Sequence, residues 1–359
     1  MANGAIWILG ATGRIGRAVA LRLVEEGFSP VLVGRDAARL AAIAEKLGGG
    51  TTVKVAGSLA AMVELVASEH PGVVLNTVGP FTHTAVPIAR ACPPGTHYVD
   101  LSNELPAVQA ILALQDHAAS AGSIFVTGAG FGVLATESVV LKLCEHRPAA
   151  MRVRCAAIPG VAVEPGPLGE AFAASLAEGF ALGGRQYDGG QLVRSALLGD
   201  FERIPLPDGR MVGTASAPSG ELEAARRASG AAFAISATSM VPSAPILRAT
   251  LPPLLAIMKI AAVRRFATRR IAAIDMKAAP TVPQVSWSYA RVEWSSGETR
   301  QGWMRTGDAM VFTAEVMARA TIRLAQGAGS PGAYTPGVLF GPELAGECGG
   351  EISIGACEA

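Results

Sequence analysis

The 359-residue chain is short of charge and of aromatic side chains: Asp, Glu, Lys and Arg make up 16% of it, and Phe, Trp and Tyr only 5%. Its formal net charge is +1 and it has no unbroken Lys/Arg block. Holding a phosphate backbone takes clustered positive charge, so nucleic acid is not an expected partner. The five cysteines, Cys92, Cys144, Cys155, Cys348 and Cys357, are scattered, odd in number and without a Cys-x-x-Cys pair. That spacing indicates neither a disulfide frame nor a zinc site and suits free thiols in a reducing compartment. The opening MANGAIWILGATGRIG lacks a basic n-region, and its short apolar run enters a glycine turn rather than a cleavage site, which leads us to expect a cytoplasmic protein. The apolar stretch ATLPPLLAIM, residues 249–258, is bounded by Arg248 and Lys259. It has half the ~20 residues a membrane-crossing helix needs.

Half of the residues are hydrophobic, enough for a large core and for two domains. Up to Gly132, short β-branched runs alternate with Ala/Leu-rich stretches of helical period, the pattern of βαβ units. Strands are expected at 5–9, 30–34, 52–56, 73–78, 97–101 and 123–127, and helices at 15–26, 37–47, 59–68, 84–92 and 106–121. Right-handed crossovers then make a doubly wound parallel sheet. Beyond Gly132 the pattern changes to a helix at 136–146, the strand-like MRVRCAAI and long Gly/Pro/Ala-rich segments, of which residues 166–190 keep enough Phe, Leu and Tyr to be ordered. VSWSYARVEW and TRQGWMRT flank Ser-Ser-Gly-Glu and read as an antiparallel hairpin. The expected fold is α/β: an N-terminal Rossmann domain over 1–133, a C-terminal α+β domain with an antiparallel sheet over 134–330, and a tail, 331–359, returning onto the first domain. Within the second domain, KIAAVRRFATRRIAAI mixes apolar residues with Arg264, Arg265, Arg269 and Arg270. Such a helix suits a membrane surface, a partner subunit, or simply a solvated cationic face.

The strongest chemical signal is Gly10-Ala11-Thr12-Gly13-Arg14-Ile15-Gly16, a G-x-x-G-x-x-G turn between an expected strand and an expected helix. Glycines there permit a sharp turn, close approach of backbone N–H groups to a pyrophosphate, and tight packing of helix on sheet. Gly10, Thr12, Gly13, Arg14, Ile15 and Gly16 are therefore candidate cofactor residues. At the end of the second strand, NAD sites carry a carboxylate for the ribose hydroxyl. Here Arg35 offers a planar cation suited to a 2′-phosphate, which points to NADP(H). Arg35 also reads as a surface residue beside an N-capping Asp36. The fourth strand ends unusually, in VVLNTVGPF, and ligands of open parallel sheets sit beyond the carboxyl ends of strands. Asn76, Thr77, Val78, Gly79, Pro80 and Phe81 join the candidate set, although Gly-Pro also serves as a plain chain turn.

The ordered set GATGRIG, LVGRD, NTVGPF, GTHYVDLSNE and GAGFGV resembles the saccharopine dehydrogenase-like oxidoreductases, particularly the trans-acting enoyl reductase branch, and TPGVLFGPEL is similar too. The resemblance implies a Rossmann domain binding NADP(H), an α+β domain closing the substrate cleft, homodimerisation, and Val78 to Phe81 lying along the cofactor. The Tyr-x-x-x-Lys device of short-chain dehydrogenases is absent, because none of Tyr98, Tyr187, Tyr289 and Tyr334 has a lysine four residues on. His83, Tyr98 and Asp100 are the catalytic candidates, with Glu104 and Glu137 as further carboxylates near strand ends. Each also has a structural reading, as a helix start, a loop anchor or a first-turn acid. The expected activity is NADPH-dependent reduction of a polarised C=C bond in a hydrophobic intermediate. A C=N (imine) reductase and a catalytically silent NADP-binding sensor are the alternatives.

Overall fold

A computed structural model describes residues 4–48, 50–162, 166–167, 170–240, 250, 256–276 and 285–356. The chain divides into two compact units.

The first unit contains Met1–Ser102, Pro106–Phe131 and Met310–Leu344. Its strands β1 (Ile6–Leu9), β2 (Val31–Gly34), β4 (Val73–Asn76), β5 (His97–Asp100) and β6 (Ile124–Val126) are buried at every residue. Such runs do not alternate because both faces of a parallel sheet are covered. The edge strand β3 (Thr52–Val55) is partly exposed. All pairings are parallel, and the order β3-β2-β1-β4-β5-β6 reverses direction between β1 and β4. Helix α1 (Arg14–Glu25) buries Ile15, Gly16, Val19, Ala20 and Leu23. Helices α2 (Ala37–Leu47) and α3 (Leu59–Glu69) begin where Asp36 and Ser58 accept the N–H three residues on. The helix expected at 106–121 is two, Leu105–Leu112 and Gln115–Ser120. They part where the last turn tightens and Leu114 N–H bonds Ile111 O, three residues back.

A seventh strand, Gly332–Tyr334, adds in parallel to β6, and Ala333 N–H donates to Gln115 Oε1 at 2.7 Å. Helix Ala309–Ala325 contributes Phe312, edge-on to Phe131 at 6.1 Å between ring centroids, and Thr313, whose Oγ1 accepts from Phe131 N–H at 3.1 Å.

The second unit contains Asn103–Leu105, Gly132–Ala309 and Ala345–Ala359. Its nine-stranded sheet is antiparallel except where Phe233–Thr238 runs parallel to Arg152–Ile158. The hairpin Ser286–Glu293 with Thr299–Thr306 has the expected antiparallel register, Ser286 opposite Thr306 and Glu293 opposite Thr299. Glu351–Ala356 extends this sheet beside Thr299–Thr306.

The chain therefore changes unit more often than the expected division into 1–133, 134–330 and 331–359. Met310–Leu344 belongs to the first unit and Ala345–Ala359 to the second. Pairings such as Ala333 with Phe125 and Trp303 with Ser353 join distant residues and leave no local mark. Apart from Thr250 and its last three residues, ATLPPLLAIM lies outside the described residues. No described helix is long and apolar enough to cross a membrane.

Candidate functional site

The glycine turn lies at the carboxyl end of β1, beside the point where strand order reverses. Gly10 has φ +81°, a conformation that costs glycine little, and its N–H donates to Val33 O at 2.9 Å. A Cβ on Gly10 would sit 2.7 Å from Thr77 Oγ1 and 3.0 Å from Val78 Cγ2. One on Gly16 would sit 2.5 Å from Gly10 O and 2.8 Å from Ala11 Cα. Gly13 is the N-cap of α1 and supplies no side-chain oxygen, so its own side chain does not cap the positive end of the helix dipole. Arg17 Nη1 steadies the turn by donating to Thr12 O at 2.7 Å. Close packing, backbone accessibility and a helix start without an N-cap side chain are the steric and electrostatic requirements of a pyrophosphate cradle.

At the end of β2, Arg35 is exposed and makes no ion pair among the described residues. The neighbouring Asp36 carboxylate accepts from Arg39 N–H at 3.0 Å as the cap of α2. The acid at this position thus serves its helix, while the cation faces solvent.

The VVLNTVGPF segment follows the register of β4 against β1, which sets Asn76 opposite Leu9. Thr77 N–H and Oγ1 both donate to Leu9 O, at 3.0 and 2.8 Å. Asn76 is fully buried. Its Oδ1 accepts from Val78 N–H at 2.9 Å, and its Nδ2 donates to Tyr98 Oη at 3.1 Å and Thr84 Oγ1 at 3.3 Å. Thr84 Oγ1 in turn donates to Val78 O. The Asn76 and Thr77 side chains thus both take protein partners, as the fully buried Asn76 must. Helix α4 (Phe81–Ala91) starts three residues earlier than expected, with Pro80 as N-cap after a cis Gly79–Pro80 peptide. The Phe81 ring belongs to the core, leaving Thr77, Val78, Gly79 and Pro80 half-buried at the turn.

Tyr98 and Asp100 extend the same network inward. Tyr98 Oη donates to Asp100 Oδ2 at 2.9 Å, while Asp100 Oδ1 accepts from Ser102 N–H at 2.9 Å, Thr127 Oγ1 at 2.8 Å and Gly128 N–H at 3.1 Å. Both side chains are fully buried. Burial pushes both pKa values up, for Asp100 against the opposing pull of its four donors. The two side chains tie the carboxyl ends of β4, β5 and β6 together, with every side-chain oxygen bonded to protein. His83 alone of the three is exposed, on α4. Glu104 accepts from Ser175 Oγ, and Glu137 is buried in the first turn of helix Thr136–Cys144.

A carboxylate in the second unit escapes sequence reasoning. In helix Gly220–Ser229, Glu221 reads as an ordinary first-turn acid, yet it is only 3% exposed. Its Oε1 accepts from Asn103 Nδ2 at 3.2 Å, and its Oε2 has no hydrogen-bond partner among the described residues. A Cβ on Gly132 would lie 2.5 Å from Oε1. Burial raises the Glu221 pKa above 4.5. A raised folded-state pKa favours the protonated form, so this stabilisation is complete below the unfolded value and is lost as pH rises through the folded one. Glu221→Gln keeps the shape and the Asn103 contact without the ionisation. The variant is expected to melt higher than wild type at pH 8 and no higher at pH 4, measured by calorimetry across that range.

The backbone fold is similar to that of saccharopine dehydrogenase. Apo saccharopine dehydrogenase (L-Glu forming) from Saccharomyces cerevisiae superposes with a TM-score of 0.64 over 99% of this chain and 100% of that one, at 13% identity. In sequence, trans-acting enoyl reductases of Mycobacterium tuberculosis and Mycobacterium bovis are 31% identical over 146 residues, 38% of this chain and 35% of theirs. The trans-acting enoyl reductase of Mycobacterium ulcerans is 34% identical over 134 residues, 35% of this chain and 32% of its own. The match thus spans about a third of the length of these relatives. No family model matches the sequence. The resemblance to the saccharopine dehydrogenase-like oxidoreductases holds in two ways, as a fold over the whole chain and as sequence similarity over part of it.

Proposed function

We propose that the protein is an NADPH-dependent oxidoreductase that reduces a polarised C=C bond of a hydrophobic biosynthetic intermediate. The observation that carries this reading is the Gly10–Gly16 turn, which leaves no room for side chains at Gly10 and Gly16 and opens a helix without an N-cap side chain beside the switch point of the sheet. In this reading the backbone from Gly10 to Gly16, with Thr12, Arg14 and Ile15 in it, holds the pyrophosphate. Arg35 takes the 2′-phosphate, and Asp36 keeps α2 capped beside it. Thr77 to Pro80 lie along the nicotinamide end, shaped from behind by Asn76. The bound cofactor supplies a hydride, and the protein's part is to orient it and keep competing water away. The partial match to trans-acting enoyl reductases supports a C=C acceptor, and a C=N bond would accept the same hydride.

Burial of Tyr98 and Asp100 favours a second reading, a catalytically silent NADP-binding sensor, because two of the three expected proton donors are bonded to protein partners. Titration with NADPH and NAD followed by an NADPH-oxidation screen over enoyl and cyclic imine compounds separates the readings. Turnover with an enoyl compound supports the reductase, turnover confined to imines changes the bond type, and binding without turnover leaves the sensor. Failure to bind either cofactor rejects both. Arg35→Ala is expected to weaken NADPH binding roughly 10- to 100-fold, the worth of one or two charged hydrogen bonds, with NAD binding unchanged. Fluorescence titration of both cofactors measures it, and an unaltered NADP/NAD preference would reject the 2′-phosphate assignment.

A further inference from the structure

Residues 256–274 carry Lys259, Arg264, Arg265, Arg269 and Arg270 and no acidic residue, in a chain whose net charge is only +1. Within them, helix Ala261–Ala272 packs its inner side against helix Glu170–Leu182. Its outer side is a continuous exposed stripe at helical spacing: Ala261, Ala262, Arg265, Phe266, Arg269 and Arg270. Four of the segment's large apolar side chains stand in water, Phe266 66% exposed, Ile260 57%, Ile274 47% and Ile257 45%. None of the five cations makes an ion pair among the described residues. Elsewhere in the same unit, Arg147, Arg154, Arg226, Arg227, Arg291 and Arg300 each hold a carboxylate.

We propose that this stripe, with Ile257, Lys259 and Ile260 preceding it, is a docking surface for an anionic lipid bilayer. Exposed cations interleaved with exposed Ile and Phe match the headgroup–acyl boundary, which takes both at once: the apolar side chains enter the boundary while the long arginine stems keep their heads at the phosphates. The alternatives fit the charge less well. A second copy of the chain docking through the same face would set the four exposed cations Lys259, Arg265, Arg269 and Arg270 against their own copies. A nucleic acid offers phosphates but no apolar surface for Ile257, Ile260 and Ile274. The surface is independent of the reaction that the protein carries out.

The test uses the full chain and sedimentation with vesicles of phosphatidylcholine, pure or containing roughly a third phosphatidylglycerol. Wild type is expected to pellet with the anionic vesicles, to stay in solution with the neutral ones, and to be released by salt that shortens the screening length. R265Q/R269Q is expected to lower the partition coefficient roughly 30-fold, at about fivefold per surface cation. Phe266→Ser lowers it at unchanged charge, which distinguishes insertion from simple ion exchange. All three positions are exposed, and an unchanged melting temperature verifies that the variants fold. The proposal is overturned if wild type ignores anionic vesicles, or if it binds them and the charge variant binds equally. It is also overturned if the variants dissociate a dimer or abolish capture of an acidic protein while wild type leaves the vesicles unbound.

Discussion

Gly16→Val is expected to weaken NADPH binding at least tenfold and to destabilise the protein by about 1–3 kcal/mol, the usual cost of forcing extra volume into a packed contact. The reason is local. Any Cβ at Gly16 lies 2.5 Å from Gly10 O and 2.8 Å from Ala11 Cα. Both are backbone atoms, so no side-chain rotation relieves the contact, and α1 has to move away from the turn. That motion separates the helix start from the loop that would hold the pyrophosphate, and stability and affinity fall together. Gly57→Ala is the matching control, because its Cβ would meet nothing within 4 Å. Calorimetric titration with NADPH and urea unfolding measure the two effects. Wild-type affinity in folded Gly16→Val would place the cofactor somewhere other than this turn.

Asp100→Ala is expected to have the larger effect on stability, about 3–5 kcal/mol, as when a buried charge network loses its central partner. Four donors converge on this one carboxylate: the Tyr98 and Thr127 hydroxyls and the Ser102 and Gly128 amides. Removing it leaves all four buried without an acceptor, and each unmade bond costs about 1–3 kcal/mol before relaxation. A lower urea midpoint at unchanged slope is the expected signature. Tyr98→Phe makes a smaller cut, removing one link of the same network, and distinguishes scaffold from catalysis. Turnover per folded molecule stays at the wild-type level if Tyr98 is only structural, and collapses if its hydroxyl donates a proton to substrate.

Strands β1, β2 and β6 of the first unit were legible because each is a short, wholly apolar run, IWIL, VLVG or IFV, bounded by turn residues. The glycine turn was legible for the same reason: its chemistry is written in consecutive residues. The Asn76–Tyr98–Asp100 network was not. Its members are 22 and 2 positions apart, and only the register of β4 against β5 brings Asn76 to Tyr98. Read singly, a Tyr and an Asp at strand ends look like a proton donor and its helper, whereas together, at zero exposure, they are mutual partners. Glu221 was hidden in the opposite way, since a carboxylate in the first turn of a helix is what the helix dipole ordinarily favours. Its missing partner becomes visible only when Gly132 and Asn103 are seen against it.

The strand Gly332–Tyr334 also orders events during synthesis. Its partner β6 leaves the ribosome roughly 200 residues before it, an interval of about 10–40 s at ordinary elongation rates. Throughout that interval the nascent sheet has an unpaired edge at Ile124, Phe125 and Val126, three apolar residues of the kind that recruit a foreign strand. The glycine turn can form early from its own neighbours, but the sheet behind it is finished only after almost the whole second unit has been made. Premature termination before Gly332 would thus release a chain carrying an open parallel edge. The cell meets such a chain as a substrate for chaperones and proteases, whatever its ability to hold a nucleotide.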